Sequence, residues 1–598
     1  MPPELERGRW ALVSARLVAK MLSELLFEEE LRAAPDGGAA DRWRVDVGDV
    51  RYRFTGRRAA LDTWRIDAGS VSRGDGAADP TRLLLDLHAA RGLEPAVTAL
   101  TVTELAATLA ADAHLRRTGA GVAELAGLGH LELEGHMTGH PWLVTNKGRV
   151  GFSAADRAAY APEARRPIRL PWIAVHERLA RYTAVPGLGH DELLRRELDG
   201  ATRARFTRAL TDEHLDPARY VRLPVHPWQW DEVVVPHFAR HLADREIVLL
   251  GEGPDAYLPQ QSVRTFGNVS RPGGLDVKVS LAILNTMVYR GIPSELVDAA
   301  PAGTRWLHAL RDADPFLAGE HRLVLPGEIA AASVRHPALE AIPQVPYKYA
   351  QLLGVIWREP LAGLLDGGER ARTFAALLHV DPAGEPFVAE LVRRSGLPPA
   401  TWLDRLLGVV LPPLLHLLHR YGLAVNPHGE NATIVYADDV PVRLAVKDFV
   451  DDMKLLDLTR LRERDPERAR RLAVEEHDDL PEPVRAVLLR TDPDGLVGSL
   501  TKSVLLAHLR YLAPLCEEHL GVPEGEFWAM ARAHVAAYRA RFPELAERFA
   551  LLDVTAPTLP RVCLNRERLL PGGYHDRAER DAHFDVDATG VPNPLHTA

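Results

Sequence analysis

The sequence predicts an α+β protein in which helices and antiparallel strands occupy separate stretches of the chain. Three observations support this: a helical N-terminal part that carries a small sheet, a strand-rich middle from 222 to 290, and a mostly helical remainder interrupted by one hairpin. Alternating apolar residues around Gly48-Asp49 predict a first hairpin within residues 42 to 67. Apolar residues every three or four positions from 79 to 128, and through most of 300 to 420, predict helices. Runs of strands followed by runs of helices are typical of this fold class.

Length and composition are those of an ordinary globular protein. The 598 residues are 46% hydrophobic and 26% charged, enough chain for roughly two to four domains. A net charge of -10 gives no general support for a nucleic-acid surface. The two cysteines, Cys516 and Cys563, exclude a disulfide framework and a four-cysteine zinc site, and they favour a cytoplasmic location. Charges such as Lys20 and Glu24 within the first apolar helix argue against a signal peptide or a membrane span.

A second hairpin is predicted in the stretch YGLAVNPHGENATIVYADDVPVRLAVKDFVDDMK, where two apolar runs flank an acidic turn. Pairing the runs symmetrically about Asp439 and Val440 sets Asn431 opposite Asp448. An amide oxygen and a carboxylate placed together, with His428 just upstream, suit a hard cation such as Mg²⁺ that holds phosphate oxygens. A hairpin whose polar ends simply meet water explains the stretch equally well.

The loop from Gly135 to Ser153 brings basic side chains together between glycines. It contains His136, His140, Lys147 and Arg149. Such a group around a turn-forming Gly-His-Pro can cup an anion. For this segment taken alone, a solvated loop is the simpler interpretation.

Cationic and hydroxyl side chains also occur in the strand-rich middle. If the run AYLPQQSVRTF forms a strand, Ser262 and Arg264 share one face, and the hydroxyl of Thr265 lies nearby. The group is well suited to a phosphate, although each member taken singly is an ordinary surface residue.

The next run of the middle part adds another lysine and another arginine. Lys278 lies in an alternating strand that is predicted to pass into a helix. On that helix Thr286 and Arg290 are four residues apart and share a face. Strand lysines usually reach solvent and helical Thr/Arg pairs are usually superficial, yet the whole set suits a triphosphate or a polycarboxylate.

Two kinds of reaction can use these side chains. A strand lysine, a loop with histidine and asparagine, and a later Asp-Phe loosely follow the order of protein-kinase motifs. However, the loop HGEN has no aspartate to act as base, and no glycine-rich loop precedes Lys278. Adenylation of a carboxylic acid needs cations on the phosphates, a Mg²⁺ site and a basic cup for the acid. The inventory fits adenylation better than phosphoryl transfer, and a non-catalytic binding protein remains a third interpretation.

Five segments, in order, resemble the IucA/IucC family, the NRPS-independent siderophore synthetases. They are GHPx₅KxRxGF (139–152), SxRT (262–265), VKxSLxxxxTxxxR (277–290), HGEN (428–431) and KDF (447–449). The resemblance implies a hand-like architecture with a thumb (1–130), fingers (131–330) and a mainly helical palm (331–598), commonly as a homodimer. It also implies ATP- and Mg²⁺-dependent condensation of a polycarboxylic acid, typically citrate or a citrate derivative, with an amine or hydroxyl nucleophile.

Roles for individual residues follow from the resemblance. It implies that the triphosphate is held by Ser262, Arg264, Thr265 and Lys278, with His428 beside the α-phosphate. It places Asn431 and Asp448 at the metal, with Glu430 as a possible additional ligand. It assigns the grip on the substrate carboxylates to His140, Lys147, Thr286 and Arg290. Of these residues His428, Arg290 and Lys278 are expected to matter most for catalysis.

Departures from the family pattern affect the substrate rather than the reaction. Leu143-Val144 replaces a second His-Pro in the carboxylate loop, and Glu430 replaces a glutamine. A lysine that some relatives use on the acid has no clear counterpart, with Arg566 as the nearest substitute. The sequence therefore leaves open citrate, a citryl monoamide and 2-oxoglutarate.

Overall fold

The computed structural model describes residues 5–286, 288–472, 477, 479–570 and 589–597. Its N-terminal part is a small antiparallel sheet covered by helices. The elements are α1 (Arg7–Phe27), β1 (Ala33–Pro35), β2 (Arg42–Val47), β3 (Val50–Arg58), β4 (Trp64–Ile66), β5 (Ser72–Arg73), β6 (Gly76–Ala77), α2 (Pro80–Arg91), α3 (Pro95–Thr118), α4 (Val122–Leu125) and α5 (His130–Glu134). β2 and β3 form the hairpin predicted around Gly48-Asp49. Apolar residues of α1, α2 and α3 pack on this sheet.

The middle of the chain builds an eight-stranded antiparallel sheet with the order β8-β15-β16-β12-β11-β10-β7-β9. Its elements are α6 (Ala154–Tyr160), β7 (Ile168–His176), β8 (Ala180–Ala184), α7 (His190–Glu197), α8 (Gly200–Thr211), β9 (Tyr220–Pro224), α9 (Pro227–Gln229), α10 (Val235–His237), α11 (Ala239–Ala243), β10 (Ile247–Pro259), β11 (Thr265–Asn268), β12 (Asp276–Val279), β13 (Leu281–Asn285), β14 (Val288–Arg290), α12 (Ser294–Ala313), β15 (Glu328–Val334), α13 (Pro337–Glu340) and β16 (Gly354–Arg358). β12 lies near the centre, so both of its faces are covered and Lys278 is buried.

One prediction for this part is wrong and another is incomplete. Residues 281 to 290 do not form a helix but the hairpin β13-β14, in which Asn285 pairs with Val288. The segment from 300 to 420 is mostly helical, as predicted, but it also contains β15, β16 and a further strand, which were not predicted. The run of β15, EIAAASV, is buried along its whole length. A wholly buried strand has no two-residue alternation, so its sequence is indistinguishable from that of a buried helix.

The remainder is helical and is built around the second predicted hairpin. Its elements are β17 (Glu369–Thr373), α14 (Phe387–Ser395), α15 (Pro399–Tyr421), β18 (Leu423–Ala424), β19 (Ala432–Ala437), β20 (Val440–Val446), α16 (Phe449–Asp452), β21 (Lys454–Leu456), α17 (Thr459–Arg464), α18 (Pro466–Leu472), α19 (Glu482–Val487), β22 (Leu489–Thr491), α20 (Pro493–Leu500), α21 (Arg510–Leu520), α22 (Glu524–Arg541), α23 (Ala546–Leu551), β23 (Thr558–Leu559), α24 (Leu564–Arg568) and β24 (Val591–Pro592). A π-helix, Thr501–Leu509, joins α20 to α21.

Two helices of the described chain, α3 and α15, are long and apolar enough to cross a membrane by length and composition. In both, most of the apolar window is buried inside the protein, 56% for α3 and 72% for α15. α15 begins after Pro398 and ends at Gly422, whose φ of 57° is the left-handed conformation that commonly follows a helix. Burial of this kind is typical of core helices.

Three large apolar clusters correspond broadly to the three parts of the chain. One surrounds the N-terminal sheet, one covers the eight-stranded sheet, and the largest lies among α14, α15 and the last helices. Since β16 completes the middle sheet from beyond residue 330, the domain boundaries at 130 and 330 stay predictions.

Candidate functional site

The hairpin β19-β20 is present, but its register differs by one residue from the predicted pairing. Ala437 pairs with Val440, and a bulge after Val435 then shifts the ladder so that Ala432 pairs with Val446. One step further, the amide of Lys447 donates to the carbonyl of Asn431 at 3.0 Å. Asn431 is therefore opposite Lys447 and not opposite Asp448, as a symmetric pairing had placed it. The cause is the two-residue turn Asp438-Asp439, both with positive φ, combined with the bulge.

Asp448 follows the hairpin in a left-handed conformation, with φ of 57°. Its carboxylate accepts a hydrogen bond from Nη1 of Arg358 at 3.1 Å and lies 3.3 Å from Nζ of Lys278. Burial alone would raise the pKa of Asp448, but Lys278 and Arg358 outweigh it and hold the pKa well below its usual range. The carboxylate is ionised at neutral pH.

The two cations beside Asp448 have further acidic partners. Nη2 of Arg358 donates to Asp276 at 3.0 Å, and Nζ of Lys278 lies 3.7 Å from Glu328. Asp276, Lys278, Glu328, Arg358 and Asp448 thus form one buried set of alternating charges, which we name the charged cluster. Paired charges of this kind tolerate burial, whereas removal of one partner is costly.

The predicted phosphate residues lie at the edge of this cluster. Ser262 and Arg264 are not on a strand, because β10 ends at Pro259 and β11 begins at Thr265. They belong to a tight turn in which Oγ of Ser262 accepts from the amide of Thr265 at 3.1 Å. Thr265 pairs with Lys278 across the β11-β12 ladder. The predicted set is therefore assembled, although the turn rather than a shared strand face brings it together.

Arg264 connects that turn to the next hairpin. Its Nη1 donates to the carbonyl of Gly291, directly after β14. The charge of Arg264 also contributes to the lowered pKa of Asp448. The Ser262–Thr265 turn, the β13-β14 hairpin and the charged cluster thus meet in one place.

Two histidines from distant loops face this region with the same local geometry. Nδ1 of His140 accepts from the amides of Trp142 and Leu143, at 3.2 and 3.1 Å. Nδ1 of His428 accepts from the amide of Glu430 at 3.2 Å. Since an accepting Nδ1 carries no proton, the neutral ring bears its hydrogen on Nε2. Each histidine therefore offers one N–H donor of fixed orientation.

Burial keeps both rings neutral. It lowers the pKa of His140 to about 3, assisted by Lys20, His428 and Arg290. It lowers the pKa of His428 to about 4, with Arg290 acting in the same direction and Asp448 opposing it. The charges of both Asp448 and Arg290 thus act on the pKa of His428.

Thr286 and Arg290 lie on the β13-β14 hairpin rather than on a helix, yet they remain adjacent. Nη2 of Arg290 donates to the hydroxyl of Thr286, and Nε donates to the carbonyl of Asn285 at 3.1 Å. Because Arg290 acts on both His140 and His428, the three side chains share one neighbourhood. We name His140, Arg290 and His428 the histidine group.

Side chains of α1 and of the residue that follows it form hydrogen bonds with the turn that carries His140. Nζ of the half-buried Lys20 donates to the carbonyls of His140 and Leu143, at 2.9 and 2.8 Å. The indole of Trp142, in the same turn, donates to Glu28 at 3.0 Å. The N-terminal helix therefore sets the position of a predicted substrate contact.

Lys147 and Glu430 are already engaged within the protein. Nζ of Lys147 donates to Asp112 at 2.8 Å, and only 2% of its side chain is exposed. Burial raises the pKa of Glu430 to about 8, and the nearby Glu134 adds to the effect. A carboxyl group that is protonated at neutral pH is a poor metal ligand. The roles of Lys147 at the substrate and of Glu430 at the metal stay predictions.

The predicted Mg²⁺ ligands, Asp448 and Asn431, carry the oxygen atoms that this ion prefers. Nδ2 of Asn431 donates to Asp452 at 3.0 Å, so a carboxylate also lies beside Asn431. Among the described residues no group of three or more His, Cys, Asp and Glu could hold a metal by itself. Mg²⁺ commonly keeps several waters and takes one or two carboxylates together with substrate phosphates. One or two acidic ligands are thus sufficient here.

Sequence reasoning missed Arg358, Glu328 and Glu134. Arg358 and Glu328 lie in strands that were predicted as helix, so no pattern placed them beside Lys278. A signal for Arg358 did exist, because an arginine ends the otherwise apolar run GVIWR of β16, and a buried charge requires a partner. Glu134 ends α5, and its carboxylate lies 3.6 Å from Lys447 of the KDF segment.

Comparison with known proteins assigns the chain to a family. Residues 129–379 match the model of the IucA / IucC family, and residues 400–577 match that of the ferric iron reductase FhuF-like transporter. The rhizobactin siderophore biosynthesis protein RhbF of Rhizobium meliloti is 38% identical over 100% of this chain and 97% of its own. An aerobactin synthase of Escherichia coli is 36% identical over 94% of each.

Solved structures agree with these matches. Aerobactin synthetase IucC of Klebsiella pneumoniae has 33% identity and a TM-score of 0.85, covering 98% of both chains. ATP-bound aerobactin synthetase IucA of the same organism, at 17% identity and a TM-score of 0.74 over 98% of this chain and 100% of its own, shares the fold. The α+β fold is confirmed, and the chain belongs to the IucA/IucC family.

Proposed function

We propose that the protein is an ATP- and Mg²⁺-dependent siderophore synthetase that adenylates a polycarboxylic acid, citrate or a citrate derivative, and condenses it with an amine or hydroxyl nucleophile. The observation that carries the proposal is the position of His428. The charges of both Asp448, in the charged cluster, and Arg290, in the histidine group, act on the pKa of its ring. A group suited to phosphates and a group suited to carboxylates thus meet at one residue.

The charged cluster and the Ser262–Thr265 turn suit the nucleotide. Lys278 and Arg264 supply positive charge, and backbone and hydroxyl donors of the turn complete a phosphate site. Mg²⁺, held by Asp448 and Asn431, would supply further neutralisation of the phosphate charge. The relatives named as synthases and the ATP-bound neighbour of the same fold support this reading.

The histidine group suits the organic acid. Arg290 can present a planar fork to one carboxylate, and the Nε2–H groups of His140 and His428 can donate to further oxygens. Neutral donors hold a carboxylate without forming an ion pair that the next step would have to break. Thr286 orients Arg290 through its hydroxyl.

The reaction then needs positioning and charge stabilisation more than an enzyme nucleophile. A carboxylate oxygen of the acid attacks the α-phosphorus, the bond to the bridging oxygen breaks, and pyrophosphate leaves with its electron pair. The amine next attacks the acyl carbon and AMP leaves. His428 is placed to donate to an oxygen of the α-phosphate as charge develops there.

One assay tests the proposal. Citrate, 2-oxoglutarate and succinate derivatives are offered with amines and ATP, and pyrophosphate and ADP are detected in parallel. We expect pyrophosphate release that depends on a polycarboxylic acid, with citrate-type acids ahead of 2-oxoglutarate. Release of ADP would instead identify a small-molecule kinase, and release of neither would identify a binding protein.

Two further expectations accompany the proposal. The family resemblance implies a homodimer, and the scarcity of cysteine favours the cytoplasm. Light scattering of the purified chain and fractionation of the host cell test them.

A further inference from the structure

A cavity of about 220 Å³ lies against the β13-β14 hairpin and has no role in the site described above. Tyr289 and Gly291, the neighbours of Arg290 in the chain, both line it. Because successive side chains of a strand point to opposite faces, the cavity lies across β14 from the side chain of Arg290. A molecule that fills the cavity would therefore contact the strand that presents Arg290 to the histidine group.

Hydrogen bonds within its own walls hold the cavity open. The buried side chain of Gln229 accepts from the amide of Ala282 at 2.7 Å and donates to the carbonyl of Leu352 at 2.6 Å. Ala282 and Leu352 belong to two of the segments that line the cavity. The amide of Ile292 also donates to the carbonyl of Gln351 at 3.2 Å. A cleft that is largely formed before a ligand arrives is typical of small-molecule sites.

Polar side chains converge on the cavity without partners in the protein. Within the part of the chain that the structure describes, no hydrogen bond or ion pair involves the side chains of Tyr289, Lys348, Tyr349 or Gln351. Gln351 is only 8% exposed, so its amide has little other access to water. Polar groups removed from water without a partner cost free energy. A ligand that offers them partners would recover that cost.

Lys348 gives the cavity its charge. Its ammonium group lies 5.4 Å from the ring centre of Tyr289 and 5.1 Å from that of Tyr349. These contacts are favourable, yet they leave N–H donors of the ammonium group for a ligand. No aspartate or glutamate is among the described residues that line the cavity, and Val233 and Leu352 add apolar surface. The lining therefore suits an anionic group on an aromatic or apolar body.

We propose that this cavity binds a small organic anion, in which a carboxylate meets Lys348 and an aromatic or apolar body packs on Tyr289 and the apolar wall. The size agrees, because an apolar cavity of roughly 150 Å³ holds benzene, and the additional volume here admits a carboxylate. Such a ligand can have two sources. It is either a nucleophile that carries a carboxylate, or an acid that bears on β14 and Arg290 without reacting. Binding itself does not depend on the proposed function.

Benzoate is the probe that tests the inference, and benzylamine, of similar size and opposite charge, is its matched control. Each is titrated by calorimetry into the full chain without ATP or a polycarboxylic acid. We expect benzoate to bind with a Kd on the order of 1 mM, and benzylamine to bind at least about 10-fold more weakly. Lys348→Met should weaken benzoate binding about 10-fold, the loss of one charge-assisted contact. Lys348→Arg, which keeps the charge, should retain most of the binding.

Two further variants show where the probe binds. Lys454→Met controls for the loss of one positive charge, because Lys454 is also half-buried but lies on β21, and it should leave benzoate binding unchanged. Arg290→Ala should also retain benzoate binding, since its side chain lies across β14 from the cavity. Binding that is lost in Arg290→Ala but kept in Lys348→Met would place benzoate in the acid subsite and overturn the inference. Equal binding of benzoate and benzylamine to the wild type would overturn it as well.

Kinetics of the proposed reaction then identify the source of the ligand. If it is the nucleophile, Lys348→Met raises the KM of an amino acid offered as the amine, but not that of a diamine, and ATP–pyrophosphate exchange without any amine is unchanged. If it is a non-reacting acid, benzoate changes the KM for citrate in that exchange for the wild type but not for Lys348→Met. Neither response in an active enzyme would overturn the connection to Arg290. An inactive wild type that binds benzoate through Lys348 would overturn the proposed function and support this site.

Discussion

The charged cluster and the histidine group accommodate buried polar side chains in opposite ways. In the charged cluster every charge faces an opposite one, and Asp448 remains ionised because Lys278 and Arg358 outweigh its desolvation. In the histidine group burial removes the charge instead, and His140 and His428 are held neutral. The charged cluster thus retains the charge of Asp448, whereas the histidine group suppresses the charge of its two imidazoles and keeps only that of Arg290.

The difference indicates how each region meets its ligand. Under the proposed function, a phosphate at the charged cluster would replace a carboxylate partner, so binding there would rearrange existing ion pairs. The neutral rings of the histidine group have fixed tautomers and need no rearrangement. We expect the first region to respond to salt and Mg²⁺, and the second to the shape and hydrogen-bonding groups of the acid.

The largest effect is expected from Arg290→Ala, which removes the one cation of the histidine group. The KM for the acid should rise roughly 100-fold or more, because truncating a buried charge contact costs about 2–5 kcal/mol. ATP binding, measured by calorimetry, should persist. Arg290→Lys should recover part of the loss, since it keeps the charge without the fork. Loss of ATP binding would mean that the two regions are not separate subsites.

A somewhat smaller effect is expected from Asp448→Ala in the charged cluster. Exchange activity should fall on the order of 100-fold, as expected when one buried partner is removed at about 3 kcal/mol, and more Mg²⁺ should be needed for half-maximal rate. Asp276→Ala is the matched control, because Asp276 also pairs with Arg358 but lies on β12. It should lower stability without changing the Mg²⁺ requirement. An unchanged requirement in Asp448→Ala would remove that residue from the metal site.

The smallest effect concerns stability against pH. Burial lowers the pKa of His140 in the folded protein to about 3, from an ordinary value of 6.5, so the unfolded chain binds the proton first as pH falls. The contribution of His140 to the free energy of unfolding is therefore complete above pH ~6.5 and declines below it. The loss is about 2 kcal/mol at pH 5, because each pH unit below 6.5 costs about 1.36 kcal/mol.

Chemical denaturation between pH 5 and pH 8 checks this expectation. The curve for His140→Gln should be flatter than that of the wild type. His226→Gln is the control, because burial also lowers the pKa of His226 to about 3 while the ring packs against Phe152, Tyr160 and Phe266. It should flatten the curve equally and leave the KM for the acid unchanged. Parallel curves for wild type and His140→Gln would show that His140 does not titrate as described.

Local elements were predicted from the sequence more accurately than the long-range contacts between them. The β19-β20 hairpin was predictable from its two apolar runs and acidic turn, but its register was not, since a bulge after Val435 leaves no mark in composition. The adjacency of Thr286 and Arg290 held even though the helix prediction was wrong, because a tight hairpin also brings residues four apart together.

Long-range pairs lay beyond sequence reasoning. Arg358 and Glu328 lie far along the chain from Lys278, and only the order of strands in the eight-stranded sheet brings them beside it.

The bond from Lys20 to the His140 turn has a practical consequence for anyone who shortens or tags this chain. Deleting α1 would leave the central sheet intact in its own core, yet it would release the carbonyls of His140 and Leu143 from their donor. Such a deletion would also remove the apolar residues of α1 from the N-terminal core, so the shortened chain should lose stability together with the support of the His140 turn. Fusion partners belong at positions that leave the first thirty residues undisturbed.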